Sequence, residues 1–198
     1  MPPPITDERE GLKEYVAAQQ YAFHALAFGL TDEQARSAPS VSALSIGGLI
    51  KHVTNCQHGW MERVAAAPEL TAGDQRPMNE QSSDYGDEFV MRDDETLADV
   101  LAAFDAQNAE TIRLIETTDL AAPVPVPPGV PWFPKNVGAW SVRWVLFHVI
   151  EELARHAGQG DIVRETIDGA TLYELLAGIE DWEPTPWLTP WGKQPVSG

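Results

Sequence analysis

The stretch from Trp140 to Ile167 constrains this chain more than any other, because its apolar residues recur at helical spacing over its whole length. It reads as one long helix carrying His148, Glu152 and His156 at steps of four. A step of four turns a helix by about 400°, so each side chain lies about 40° round from the last and one turn along. Val145, Val149, Leu153 and Ile162 lie on or beside that stripe and turn it inward, while Arg155, Arg164 and Glu165 are expected on the other side. Two imidazoles and a carboxylate on a buried face must be paired, hydrogen-bonded or bound to a metal.

The rest of the chain supplies partners for that helix. Leu12, Tyr15, Val16, Phe23, Leu26 and Ala27 predict an amphipathic helix that opens behind Thr6 and ends near Gly29, with His24 beside its apolar stripe. Thr31 and Gln34 form a capping-box pattern for a short turn before Pro39. A second main helix starts near Ser45 and runs to Pro68, with Ile46, Leu49, Ile50, Val53 and Trp60 on its apolar side. Gly48, His52, Cys56 and Trp60 share a four-step stripe on it, and His58, six positions from His52, points elsewhere. The pair Gly47-Gly48 costs little at the first turn and lets another backbone come close. A third helix carries Leu97, Val100, Leu101, Phe104, Ile112 and Ile115, with Asn108 as the polar residue of that face.

Two long connections separate these helices. Residues 67–92 are rich in Pro, Gly, Asp and Ser, and a loop of that length is functional or loosely ordered. The proline-dense crossover before Trp140 suits neither a helix nor a central strand, and its Trp132 and Phe133 are expected to pack over the bundle end. Thr171 to Glu174 opens a short terminal helix. The expectation is an all-α four-helix bundle with long crossover loops over residues 1–178, and an extended Trp/Pro-rich tail over 179–198 that straps across the surface or onto a partner subunit.

Composition excludes several functions. A formal charge of −17 repels nucleic acid and anionic membranes, and no apolar run is long enough to span a bilayer. The single cysteine, Cys56, fits a reducing compartment. The N-terminal residues lack the basic and apolar regions of a signal peptide, so a cytoplasmic location is expected.

Glu152 stands one turn from both His148 and His156, whereas the two histidines are about 12 Å apart along the axis, too far to share an ion. Glu152 therefore pairs with one of them, and His52 is the best candidate for a third ligand from another helix. Two histidines and one carboxylate leave coordination positions open, as a catalytic metal site does. Spacing alone leaves the alternative that these histidines are satisfied by hydrogen bonds. Cys56, one turn beyond His52, is read as a small core residue.

The segments SIGGLIKHVTNCQHGWMERV and SVRWVLFHVIEELARHAGQGDIVRE together resemble the DinB-like superfamily, in the branch related to mycothiol-dependent maleylpyruvate isomerases and thiol S-transferases. The resemblance runs from Ile5 to Leu176. It implies a four-helix bundle and a divalent metal ion, usually zinc or nickel, held by His52, Glu152 and His156. It leaves His148 one turn away as a substrate-facing or proton-carrying group, and it puts Gln159 where relatives often have a histidine. It further implies a homodimer and, as substrates, a small-molecule thiol and an electrophile. Isomerase relatives carry a further domain where this chain has a short helix and a Trp/Pro tail, so a thiol S-transferase is the closer expectation. A metal-dependent hydrolase and a non-catalytic small-molecule-binding bundle are the alternatives.

Overall fold

The computed structural model describes residues 2–75 and 87–194. Asp7 caps helix α1 (Glu8–Ala27) by accepting from the Glu10 amide. The capping box of Thr31 and Gln34 opens α2 (Asp32–Arg36), and Ser45 caps α3 (Ile46–Ala66). A 3-10 turn, Asp87–Phe89, leads towards α4 (Leu97–Thr117), which a second box at Thr96 and Asp99 caps. Strands β1 (Pro123–Pro125) and β2 (Ala139–Ser141) precede the long α5 (Val142–Asp168), and α6 (Leu172–Ile179) follows. Among the described residues no helix is long and apolar enough to cross a membrane.

Side-chain pairs fix the directions of the four long helices. Lys13 reaches Glu116 and His24 reaches Asp105, so α1 and α4 run antiparallel. Glu8 pairs with Arg143, and the Leu26 carbonyl accepts from Arg164, so α1 and α5 run parallel. Lys51 pairs with Glu95 and Gln57 donates to Asn108, so α3 and α4 are also parallel. The His52 ring meets His156 and the Trp60 ring meets His148, so α3 and α5 are antiparallel. Parallel neighbours cannot be joined by a tight turn. The α3–α4 connection must travel back along the bundle, about 30 Å for a helix of this size, which explains the long interruption. Residues 76–86 of that interruption lie outside the described residues.

The core is largely apolar. Val16, Phe23 and Leu26 of α1 meet Leu49, Ile50 and Val53 of α3, Phe104 and Ile115 of α4, and Val145, Val149 and Leu153 of α5. Within it Gln20 donates to Gln57 at 2.8 Å and Gln57 to Asn108 at 3.1 Å, so the buried amides satisfy one another.

Several expectations change. Trp140 is not helical: it pairs with Val124 in a two-stranded antiparallel ribbon that closes the crossover, and α5 starts only after the Ser141 cap. Both prolines of β1 are tolerated because a two-stranded ribbon has only edges. Trp132 is 70% exposed, whereas Phe133 packs on Trp60 and Trp140. Tyr15 is also mostly exposed, and Leu114 takes a core place that the pattern did not mark. On α5, Ile162 is exposed and Arg164 is fully buried, the reverse of the expectation. Arg164 lies about 20° round from Leu153 and Ile162 about 180°, which decides both. Arg164 donates to the carbonyls of Leu26 and Phe28 at 2.7 and 2.8 Å, pairs with Asp168, and lies under the Trp191 ring. A cation thus meets the unpaired carbonyls at the end of α1. The described part of the tail lies across its own chain, with the Trp191 amide donating to the Glu174 carbonyl and Lys193 paired to Asp181.

Gly47 and Gly48 bring the 87–91 segment against α3. A Cβ on Gly48 would overlap the Phe89 carbonyl oxygen and stand 2.7 Å from its carbon. Gly48→Ala gains about 1 kcal/mol of helix propensity, but a clash with fixed backbone costs about 1–3 kcal/mol. A net loss in urea unfolding is expected. Arg164→Met, which strands Asp168 and two carbonyls, should lose about 3–5 kcal/mol in the same assay. Arg155→Ala, on the exposed face, should stay within about 0.5 kcal/mol of the parent.

Candidate metal centre

Two helices and one turn build the site. The Ser45 hydroxyl accepts from the Gly48 amide at 3.1 Å, which starts α3 and places His52 on its inward face. His52 is 6% exposed. Helix α5 runs antiparallel beside it and carries Glu152 and His156 on the facing side. The His52 and His156 rings meet edge to face at 4.5 Å. The 3-10 turn lays Phe89 flat on His52, ring centres 3.9 Å apart, and sets Glu88 Oε2 3.7 Å from His52 Nδ1. The close approach at Gly48 makes that possible.

One candidate ligand atom from each of His52, Glu152 and His156 lies within 4.8 Å of the others. Atoms that share an ion at about 2.1 Å stand at most about 4.2 Å apart, so small side-chain rotations close the set. The hydrogen bonding fits the same end. Gln159 Oε1 stands 2.7 Å from His156 Nδ1, so that nitrogen donates to it. Nε2 then faces Glu152 Oε2 at 3.4 Å. Two electron-pair donors facing each other need a cation between them, a proton or a metal ion. The imidazole is oriented by its outer partner as metal-ligating histidines are.

Electrostatics keep the carboxylate ionised. The hydrogen bond from His156 holds Glu152 below the usual carboxylate range against the opposing effect of burial, and the charges of His148, His156 and His52 add to it. The Cys56 thiol moves the other way. Burial, with the Glu152 and Glu88 carboxylates, pushes it up to about 12, so it remains a neutral thiol.

The other sequence-predicted residues are placed as follows. His148 Nε2 is 3.5 Å from Glu152 Oε1, and its Nδ1 is 3.3 Å from Glu151, one turn beyond the triad. His24 leaves the site for Asp105, and His58 faces Gln107. Cys56 lines the same cavity without joining the ligand set. Glu88 and Phe89 were missed by sequence reasoning, and only the paired glycines hinted that a backbone would arrive there. The cavity beside the triad holds about 470 Å³, and Trp60, Trp140, Trp144 and Phe133 line its far end. The four-residue step from Trp144 to His148 was a usable signal for part of this wall.

Known proteins share the fold and the family of this chain. A solved structure of a conserved protein from Enterococcus faecalis shares the fold, with a TM-score of 0.55 and 15% identity over 84% of this chain and 100% of that one. No curated protein matches the chain significantly. A family model described as mycothiol-S-transferase matches residues 11–169, which include both halves of the site. By that match, the chain belongs to the mycothiol-S-transferase family.

Proposed function

We propose that this protein is a divalent-metal-dependent thiol S-transferase, with a mycothiol-like low-molecular-weight thiol as donor and an electrophile as acceptor. The observation that carries it is the convergence of His52, Glu152 and His156 beside an open cavity, in a chain of this family. Zinc is the ion best suited to two imidazoles and a carboxylate, with nickel the nearest alternative. Such an ion, when bound, makes a thiol acidic enough to ionise at neutral pH.

The chain's own residues do the rest. His52 and His156 supply neutral imidazole donors, and Gln159 holds the His156 tautomer. Glu152 contributes the one negative charge of the set, and its neighbours keep it ionised. His148, on the cavity side of Glu152, is placed to take the thiol proton. Trp144 stacks on the His148 ring and holds its orientation. Cys56 lines the cavity but stands outside the ligand set.

Protein purified without chelator or metal resin should carry about one divalent ion per chain by elemental analysis. His52→Ala and Glu152→Gln should each weaken the ion at least tenfold, with helical circular dichroism unchanged. Full retention of the ion by both variants would remove the basis of the reading.

Ion affinity should also fall as pH is lowered. Imidazole and carboxylate groups ligate an ion only in their deprotonated forms, so protons compete with it as pH falls. A competition titration with a chromophoric chelator reads this directly, and affinity that rises on acidification would contradict it.

With mycothiol and a generic electrophile, loss of free thiol should be catalysed. His148→Gln should slow it about a hundredfold while leaving metal content intact. Hydrolysis of the electrophile without thiol consumption would point to a hydrolase instead.

A further inference from the structure

The two imidazoles of the triad meet different outer partners. His156 Nδ1 donates to the neutral amide oxygen of Gln159 at 2.7 Å, within the same helix. Beside His52 stands a carboxylate instead, with Glu88 Oε2 3.7 Å from Nδ1. Glu88 comes from the 3-10 turn Asp87–Phe89 rather than from α3, and it lines the cavity with its side chain 30% exposed. Gly48 seats that turn, because a side chain there would overlap the Phe89 carbonyl.

The seat limits what the His52 ring can do. Phe89 lies along one face, 15° from parallel, and the His156 ring meets it edge to face. With the plane held, one choice is left to the imidazole: a half-turn about the Cβ–Cγ bond, which exchanges Nδ1 with the Cδ2 carbon. A carboxylate at one edge decides it, since it attracts an N–H far more strongly than a C–H. At 3.7 Å the two atoms are in electrostatic contact but beyond hydrogen-bond range, and a side-chain shift of about 0.5–1 Å closes the gap. Charge adds to orientation. A carboxylate behind a ligating histidine makes the imidazole a stronger donor, which a neutral amide does less well.

We propose, on the reading of the triad as a metal centre, that Glu88 is its positioning residue. It turns Nδ1 of His52 to itself, leaves Nε2 for the ion, and strengthens that nitrogen through its charge. Ion affinity is thereby tied to the seating of the 87–89 turn on α3. Glu88 acts through His52 and is not itself a ligand, in keeping with its place outside the group whose donor atoms lie within 4.8 Å of one another.

The test reads zinc affinity by competition with a chromophoric chelator, without any turnover. Glu88→Ala should weaken zinc about ten- to a hundredfold. Glu88→Gln keeps the shape and an acceptor but loses the charge, and its affinity should fall between those of Glu88→Ala and the parent. In the His52→Ala background, read against a weaker chelator, adding Glu88→Ala should change little, because the residue it acts through is gone. In a Gln159→Ala background it should keep its full effect. With cobalt(II) in place of zinc, the visible bands of Glu88→Ala should keep the parent's intensity, since the ligands are the same.

Zinc affinity within twofold of the parent in Glu88→Ala would overturn the proposal, and so would parent affinity in Glu88→Gln. A full Glu88→Ala effect without His52, or cobalt bands of a changed coordination number, would make Glu88 a ligand and overturn it too. A parent protein that binds no zinc removes the metal reading and this role together. Zinc that His52→Ala weakens and Glu88→Ala leaves unchanged removes this role alone.

Discussion

The register of α3 against α5 is the constraint on which the rest depends. The two helices run antiparallel, so His52 comes opposite His156 and Trp60 opposite His148. One interface therefore builds two different environments in sequence. At one end donor atoms face each other and need a cation between them. At the other, rings cover rings. A shift of α5 by a single residue would rotate its side chains by about 100° and dissolve both.

That register is held from outside the interface. Arg164 ties the lower part of α5 to the end of α1 through two carbonyls, and Arg143 ties its upper part to Glu8. The first is buried, donates to two carbonyls and pairs with Asp168, and it fixes position more firmly than the exposed second pair. The approach of Phe89 over Gly48 completes the floor from the third direction. The acidic surface takes no part in this.

Much of this was legible in the residues. The four-step spacing of His148, Glu152 and His156, and the inward position of His52, follow from helical geometry alone, and the structure brings His52, Glu152 and His156 together. The capping patterns at Thr31 and Thr171 mark real helix starts. The two misplacements on α5 share a cause. Measured from His148, at the edge of the core face, Arg164 lies about 160° round and Ile162 about 40°, whereas from the buried Leu153 the two angles are about 20° and 180°. Hence Arg164 was sent outward and Ile162 inward, both wrongly. Glu88 was illegible for another reason: it arrives through a long connection, and nothing local in a loop says which helix it will touch. Trp132 and Phe133, adjacent in a proline-rich segment, divide between solvent and core, and composition alone does not assign them.

The chain order of the bundle has a consequence for how it assembles. Helices α1 and α5 are direct neighbours, yet the pair Glu8–Arg143 is 135 positions apart in sequence. An up-and-down bundle can grow by adding each hairpin to the last, whereas here the first helix keeps an apolar flank uncovered until the fifth arrives. High contact order of this kind slows closure. On the ribosome, most of the chain must emerge before α1 finds its mate, and the waiting surface is one that chaperones bind.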